Sequence, residues 1–233
     1  MFDELKQAVE EIRSLADPTS GELRIASTIA IASGFIPAVI DQLSRQHPRL
    51  IFHLSAGEAS TTYSALEGRR VDLVVAPIFK PALDPHLAAE LLYEEPLVVV
   101  GGTNTAWSRR RRLKLSDLVE ATWTLPPPES LYGTVVAEAF RTEGLEVPRA
   151  TVFTSVTAVR NALLATGRFL SIVQGSVVRF SLLAPQFKVL PVALPTTRRP
   201  IAVITLKGRT LNPSTRLFID CARKIAQQLV RRK

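Results

Sequence analysis

The sequence predicts an α/β chain of two lobes, joined by two crossing segments. Three observations predict it. Residues 21–77 read as strand, helix, strand, helix, strand, with hydroxyl residues where helices begin. Residues 122–195 run through the same alternation without repeating the sequence. The last strand and helix, 200–206 and 213–230, have no unit of their own, so the economical arrangement returns them to the first. This order builds parallel sheets with helix N-termini along one edge. Such an edge binds small polar or anionic ligands.

The elements follow in order. Phe2, Leu5, Val9, Ile12 and Ala16 recur at three- and four-residue steps, so residues 2–16 read as an amphipathic helix that needs a partner. Asp17–Gly21 breaks it as a hinge. Leu23–Ala26 is a strand ending in Ser27-Thr28, and the helix after it stops near His47-Pro48. Leu50–Leu54 is the next strand, Ser60-Thr61-Thr62 open a helix, and Val71–Val75 closes the run as a strand. Ile78–Leu83 is a loop, and Leu97–Val100 a strand ended by Gly101-Gly102. A short capped helix follows at Leu115–Leu118.

In the second run, Thr122–Leu125 is a strand that turns at Pro126–Ser130 into the helix Leu131–Glu143, with Gly144 as its C-cap signal. Thr151–Phe153 is a strand, and Thr154-Ser155 start the helix Val156–Thr166, closed by Gly167. Phe169–Val173 and Val189–Val192 are strands, with a short helix begun by Gln174-Gly175-Ser176 between them. The terminal helix carries Leu217, Cys221, Ile225 and Leu229 at four-residue steps.

Composition narrows the classes. Hydrophobic residues make up 46% and charged residues 21%, which suits a packed core. The single cysteine, Cys221, excludes an internal disulfide and reads as a small apolar residue of the last helix. No apolar run reaches membrane-spanning length and no secretory signal is visible, so the expected location is the cytoplasm, with no membrane partner. The net charge of +8 invites a nucleic-acid reading, concentrated at Arg109-Arg110-Arg111-Arg112 and the Arg231-Arg232-Lys233 tail. No aromatic residues interleave with these charges and no helix-turn-helix or zinc-finger spacing occurs, so they read as solvated. His47, His53 and His86 lack metal-ligand spacing, and no nucleophile elbow, phosphate loop or dinucleotide fingerprint is present. No enzyme, cofactor or metal is expected.

Several segments in fixed order resemble one family. They are Gly21-x-Leu23-Arg24-Ile25 with Pro37, the helix end at His47-Pro48, Gly68-x-x-Val71-Asp72-Leu73 and Tyr93-Glu94-Glu95-Pro96-Leu97. Leu125-Pro126-Pro127-Pro128 and Thr197-Arg198-Arg199-Pro200-Ile201 complete the set. Together they resemble the effector-binding region of LysR-type transcriptional regulators, in the branch governing sugar uptake and aromatic-acid catabolism. The resemblance implies a two-lobed periplasmic-binding-protein type 2 fold: 1–20 as the end of a linker and dimerisation helix, 21–98 with 196–233 as lobe I, and 99–195 as lobe II. It implies a small polar or anionic effector in the interlobe cleft. It also implies a homodimer, or a tetramer of the full-length protein, pairing through the helix near Phe35–Leu43 and a neighbouring strand. DNA is then read only by an N-terminal helix-turn-helix domain absent from this sequence, which reads as a fragment or a truncation.

The same resemblance assigns the pocket. Thr28, Ser60 and Thr61 stand at two strand-to-helix turns of the first lobe. Pro128, Glu129 and Ser130 form one turn of the second, and Thr154 and Ser155 another. Taken alone, each Ser or Thr at a helix start is a cap; recurrence at four turns is what suggests a shared ligand. Arg168 is either a charge-assisted contact or a solvated loop arginine. The competing readings are a solute-binding protein of a transport system and an enzyme on the same fold.

Overall fold

The computed structural model describes residues 20–79, 84–149, 151–180 and 186–231. The linker-helix and hinge expectation for residues 2–19 lies outside them, as does the end of the basic tail. The chain forms two compact units. One runs to Glu94 and resumes at Pro200; the other is Glu95–Arg199.

The first unit holds a five-stranded sheet: β1 (Ser20–Thr28), β2 (Arg49–Gly57), β3 (Leu73–Pro77), β4 (Leu87–Glu95) and, from the end of the chain, β10 (Arg199–Leu206). Their order is β2-β1-β3-β10-β4. β1 runs parallel to β2 and β3, and β10 antiparallel to β3. The returning strand therefore enters beside the central β3, whose five residues are all buried. The Asp72 carboxylate accepts the Arg24 N–H at 2.8 Å while the Asp72 N–H donates to the Arg24 carbonyl at 2.8 Å. This reciprocal pair fixes the entry into β3 against β1.

The first helix is broken where the sequence predicts a continuous one. α1 (Ile29–Ser33) stops at Gly34, whose backbone is non-helical, and α2 (Phe35–Gln46) begins after it. α2 turns Phe35, Ile36, Val39 and Leu43 into the core of its own unit. α3 (Ala59–Glu67) connects β2 to β3. The terminal helix, named α7 below (Pro213–Arg231), buries Phe218, Cys221, Ala222 and Ile225, with the Cys221 thiol 3.8 Å from the Val39 carbonyl.

β4 has no counterpart among the predicted strands. Its sequence, LAAELLYEE, is rich in good helix formers. Its burial nevertheless alternates toward the core through Leu87, Tyr93 and Glu95, and sheet pairing overrides local propensity.

The second unit repeats the design with β5 (Leu97–Gly102), β6 (Trp123–Leu125), β7 (Val152–Phe153), β8 (Leu170–Gln174) and β9 (Phe187–Val189), in the order β7-β6-β8-β5-β9. β6 is parallel to β7 and β8, and β5 is antiparallel to β8 and β9. The connecting helices are α4 (Leu131–Thr142), α5 (Thr157–Ala165) and α6 (Gly175–Phe180). Trp123, fully buried, donates its indole N–H to the Leu118 carbonyl at 2.9 Å and meets Phe140 of α4 edge-on at 6.0 Å. The late strand lies earlier than the predicted Val189–Val192. Leu190 still donates to the Val99 carbonyl, but Pro191 has no N–H with which to continue the ladder.

Candidate functional site

Parallel strands put their carboxyl ends on one edge, and that edge gathers the candidate residues of each unit. In the first unit Thr28 ends β1 in register with Gly57, which ends β2. Thr28 occupies the N-cap position of α1 with extended backbone, yet its hydroxyl makes no cap bond. The residue is 7% exposed, and Oγ1 has no hydrogen-bond partner among the described residues. A buried hydroxyl at a sheet edge without a partner is a costly group unless something outside the chain satisfies it.

Ser60 and Thr61 lie nearby in sequence but do not cap α3. Glu58 holds the N-cap position, so both sit inside the first turn and are exposed. Thr61 is the nearest side chain to the space beside Gly57, which links it to the Thr28 position. Thr62 spends its hydroxyl on the Ala59 carbonyl at 2.7 Å.

In the second unit the turn after β6 is tightly folded. Ser130 is the true N-cap of α4: its Oγ accepts the Gly133 N–H at 3.0 Å and donates to the Pro127 carbonyl at 2.6 Å. Both hydroxyl functions are committed, while Pro128 and Glu129 at the tip are exposed. At the next turn Thr154 Oγ1 accepts the Val156 N–H at 3.0 Å, and the Thr154 N–H donates to the Leu125 carbonyl at 2.9 Å. That bond ties the two turns of this unit together. Ser155 is exposed, and the cap position of α5 falls on Val156 rather than on Thr154-Ser155.

The expectation of four hydroxyl caps is therefore corrected. Ser130 caps its helix through the side chain; Thr28, Ser60-Thr61 and Ser155 do not. Arg168 is exposed beside Gly167, before the start of β8 and so away from that strand's carboxyl end. Its guanidinium lies 5.8 Å from the Phe169 ring, in keeping with the loop reading.

A polar cluster that the sequence reading passed over sits at the carboxyl end of β8. Gln174, 5% exposed, lies close enough to the side chain of Tyr132 on α4 to act on its ionisation. Burial drives the Tyr132 hydroxyl far above the usual phenol value, and Glu95 pushes the same way. The Gln174 amide and the Arg199 charge oppose the shift. The Glu95 carboxylate, 2% exposed, accepts the Ser176 N–H at 3.0 Å at the start of α6. A tyrosine two residues past a cap, and a glutamine ending a buried strand, were the available signals. Among the described residues no group of three His, Cys, Asp or Glu side chains has metal-site geometry, and no helix is long and apolar enough to cross a membrane.

Comparison with known proteins now places the chain. The family model described as "LysR substrate binding domain" matches residues 16–227. The chain is 24% identical to the HTH-type transcriptional regulator GbpR of Azospirillum brasilense, over 98% of this chain and 67% of that protein. It is 23% identical to the transcriptional dual regulator GltC of Bacillus subtilis, over 91% and 70%. Among solved structures, the BenM effector binding domain with its effector benzoate aligns at a TM-score of 0.70 and 22% identity, covering 89% of this chain and 92% of that one. The effector binding domain of QuiR in complex with shikimate aligns at 0.68 and 17%, covering 90% and 98%.

Proposed function

The chain belongs to the LysR substrate-binding-domain family and has that family's type 2 periplasmic-binding-protein-like fold, and we propose that, as the effector-binding domain of a LysR-type regulator, it senses a small polar or anionic metabolite. The residues proposed to meet it are Thr28, Ser60 and Thr61 from the first unit, with Pro128, Glu129, Ser130, Thr154 and Ser155 from the second. The observation that carries the reading is the Thr28 hydroxyl, buried at the carboxyl edge of its sheet without a partner among the described residues, while Thr62 of the same unit is locally satisfied. The BenM domain is solved with benzoate and the QuiR domain with shikimate, both carboxylic acids, which supports an anionic effector.

The work of such a domain is thermodynamic. A ligand that binds one arrangement of the protein better than another shifts the population toward it. The shift is limited by the difference between the two affinities. No step of bond making is assigned to any residue. The signal is carried to DNA by a helix-turn-helix domain outside this sequence, and this chain alone binds DNA weakly and without sequence preference. The proposed compartment is the cytoplasm.

The proposed assembly is a homodimer, and the edges of both sheets support it. β2 borders the first sheet and leaves Ile51 at 54% and Leu54 at 42% exposed. β7 borders the second, with Phe153, Val156 and Val159 about equally exposed. Open apolar edges invite pairing unless covered. The buried stripe of α2 is spent inside its own unit, so pairing near Phe35–Leu43 draws on that helix's outer residues and on β2. Light scattering of wild type and of Leu54→Lys with Phe153→Asp tests this. A dimer turned to monomer supports it, and a wild-type monomer at high concentration refutes it.

For the effector, thermal denaturation is followed across sugar acids, aromatic acids and neutral sugars, since a ligand of the native state raises apparent stability. The hit is then titrated into Thr28→Val. The expected loss is about 0.5–3 kcal/mol of binding, the range for one hydrogen bond from neutral to charged. Unchanged affinity in that variant removes Thr28 from the site.

A further inference from the structure

The α5 face of the second sheet holds polar groups where a core is expected. The face is fixed by alternation. Trp123 packs on Phe140 of α4, so Thr124, the next residue of the strand, projects to the opposite side. Ser171 is the register partner of Thr124, and Val100 the register partner of Ser171, so all three share that side. Val100 packs with Leu164 of α5, Val173 and Phe187. The helix over this face is therefore α5.

Arg160 and Asn161 stand four and three residues before Leu164 and share its stripe, because α5 repeats every 3.6 residues. Both are half-buried, whereas Ala158 and Val159 between them and the cap are exposed. The sheet-facing stripe of α5 thus carries a guanidinium and a carboxamide, and the sheet face that α5 covers carries two hydroxyls. Thr124 and Ser171 are each 1% exposed, and neither hydroxyl has a hydrogen-bond partner among the described residues. Among the described residues the Arg160 guanidinium reaches only its neighbour, donating from Nε and Nη2 to Asn161 Oδ1 at 3.4 and 3.3 Å. Loss of water lowers its pKa to about 10.

The donor count sets the ligand class. Arg160 can only donate, Asn161 has its oxygen occupied and its amide protons left, and both hydroxyls can donate. The strand row Val152, Thr124, Ser171, Val100 contains no acid, nor does α5. We infer that the second unit carries an oxyanion site on the α5 face of its sheet, built from Arg160, Asn161, Thr124 and Ser171 and taking a carboxylate or a phosphate group. The site lies within one unit and stands independently of the effector reading.

The test is calorimetric titration of this chain with sodium phosphate and, separately, sodium acetate, against sodium chloride of equal ionic strength. Wild type is expected to bind at least one of the two in the millimolar range, and which one identifies the group. Arg160→Gln is expected to weaken that binding about 10- to 100-fold, the loss of a hydrogen bond to a charged group. Thr124→Val with Ser171→Ala, which preserves shape and supplies a folded comparison, is expected to weaken it at least several-fold. Thr28→Val is expected to leave it unchanged. Binding of neither anion overturns the proposal. So does equal binding by wild type and the double variant. Binding abolished by Thr28→Val but untouched by Arg160→Gln also overturns it, and assigns the anion to the effector site instead.

Discussion

Gly133 is the position at which one methyl group should disturb both stability and the candidate site. It is buried in the first turn of α4, where the Pro126–Ser130 turn folds back over it. A Cβ there would fall inside the Pro127 carbonyl oxygen and 2.9 Å from both the Pro127 carbon and the Pro128 Cα. These are backbone atoms, so no side chain can swing aside. Relief requires lifting the turn, which breaks the Ser130 cap and its bond to Pro127. Overpacking costs about 1–3 kcal/mol, and the lost cap about 1 kcal/mol. Better helix propensity of alanine returns at most ~1 kcal/mol. The net expectation for Gly133→Ala is a loss of about 1–3 kcal/mol, or roughly 2–12 °C in melting temperature for a chain of this size. Gly144→Ala is the control: its φ of +70° disfavours alanine, but nothing lies within 4 Å of the new methyl. It should lose only about 1–2 kcal/mol. Thermal denaturation by circular dichroism measures both. A Gly133→Ala chain that melts at or above wild type would refute the reasoning, because helix propensity alone would then govern the site.

Three further outcomes follow from buried groups. Cys221 has its thiol pKa raised by burial, so it should resist thiol reagents in the native state and react fully in denaturant; rapid native labelling would contradict the packing of α7. Tyr132 holds its proton far above the ordinary phenol value of 10.0. Above about pH 10 the unfolded chain releases that proton while the folded chain keeps it, so stability falls as pH rises; Tyr132→Phe should flatten this slope in urea titrations, and an unchanged slope would remove Tyr132 as its source. Ser130→Ala should cost about 0.5–2 kcal/mol of stability for the lost cap, whereas Thr28→Val should cost nothing measurable; equal losses in denaturant titration would contradict the bonding described for the two hydroxyls.

The sequence was most informative where local chemistry and global fold agree. The predicted strands Val71–Val75, Thr122–Leu125 and 200–206 are mostly apolar runs bounded by turn residues, and each overlaps an observed strand: Leu73–Pro77, Trp123–Leu125 and Arg199–Leu206. Gly144 and Gly167, marked as helix stops, both adopt positive φ just beyond α4 and α5. Legibility failed where tertiary pairing decides. β4 is composed of helix formers and is a strand only because β10 offers it an edge. The break at Gly34 is hidden by apolar residues on both sides of it. Arg160 was invisible for a related reason: a charged residue in a helix is read as solvent-facing until Leu164 fixes which side of α5 meets the sheet.

The candidate site was legible as a set of turns but not as a set of roles, and the reason is chemical. A hydroxyl at a helix start has two uses, and sequence does not distinguish them. Ser130 and Thr154 spend theirs on backbone groups at their own turns, so each shapes the loop that carries Glu129 or Ser155. Thr28 spends nothing, although it is more deeply buried than either. A buried polar atom left unpaired lowers stability, so its retention needs a compensating partner. Under the proposed function that partner at Thr28 is an effector atom, and removal of the hydroxyl should therefore be felt in binding and not in folding.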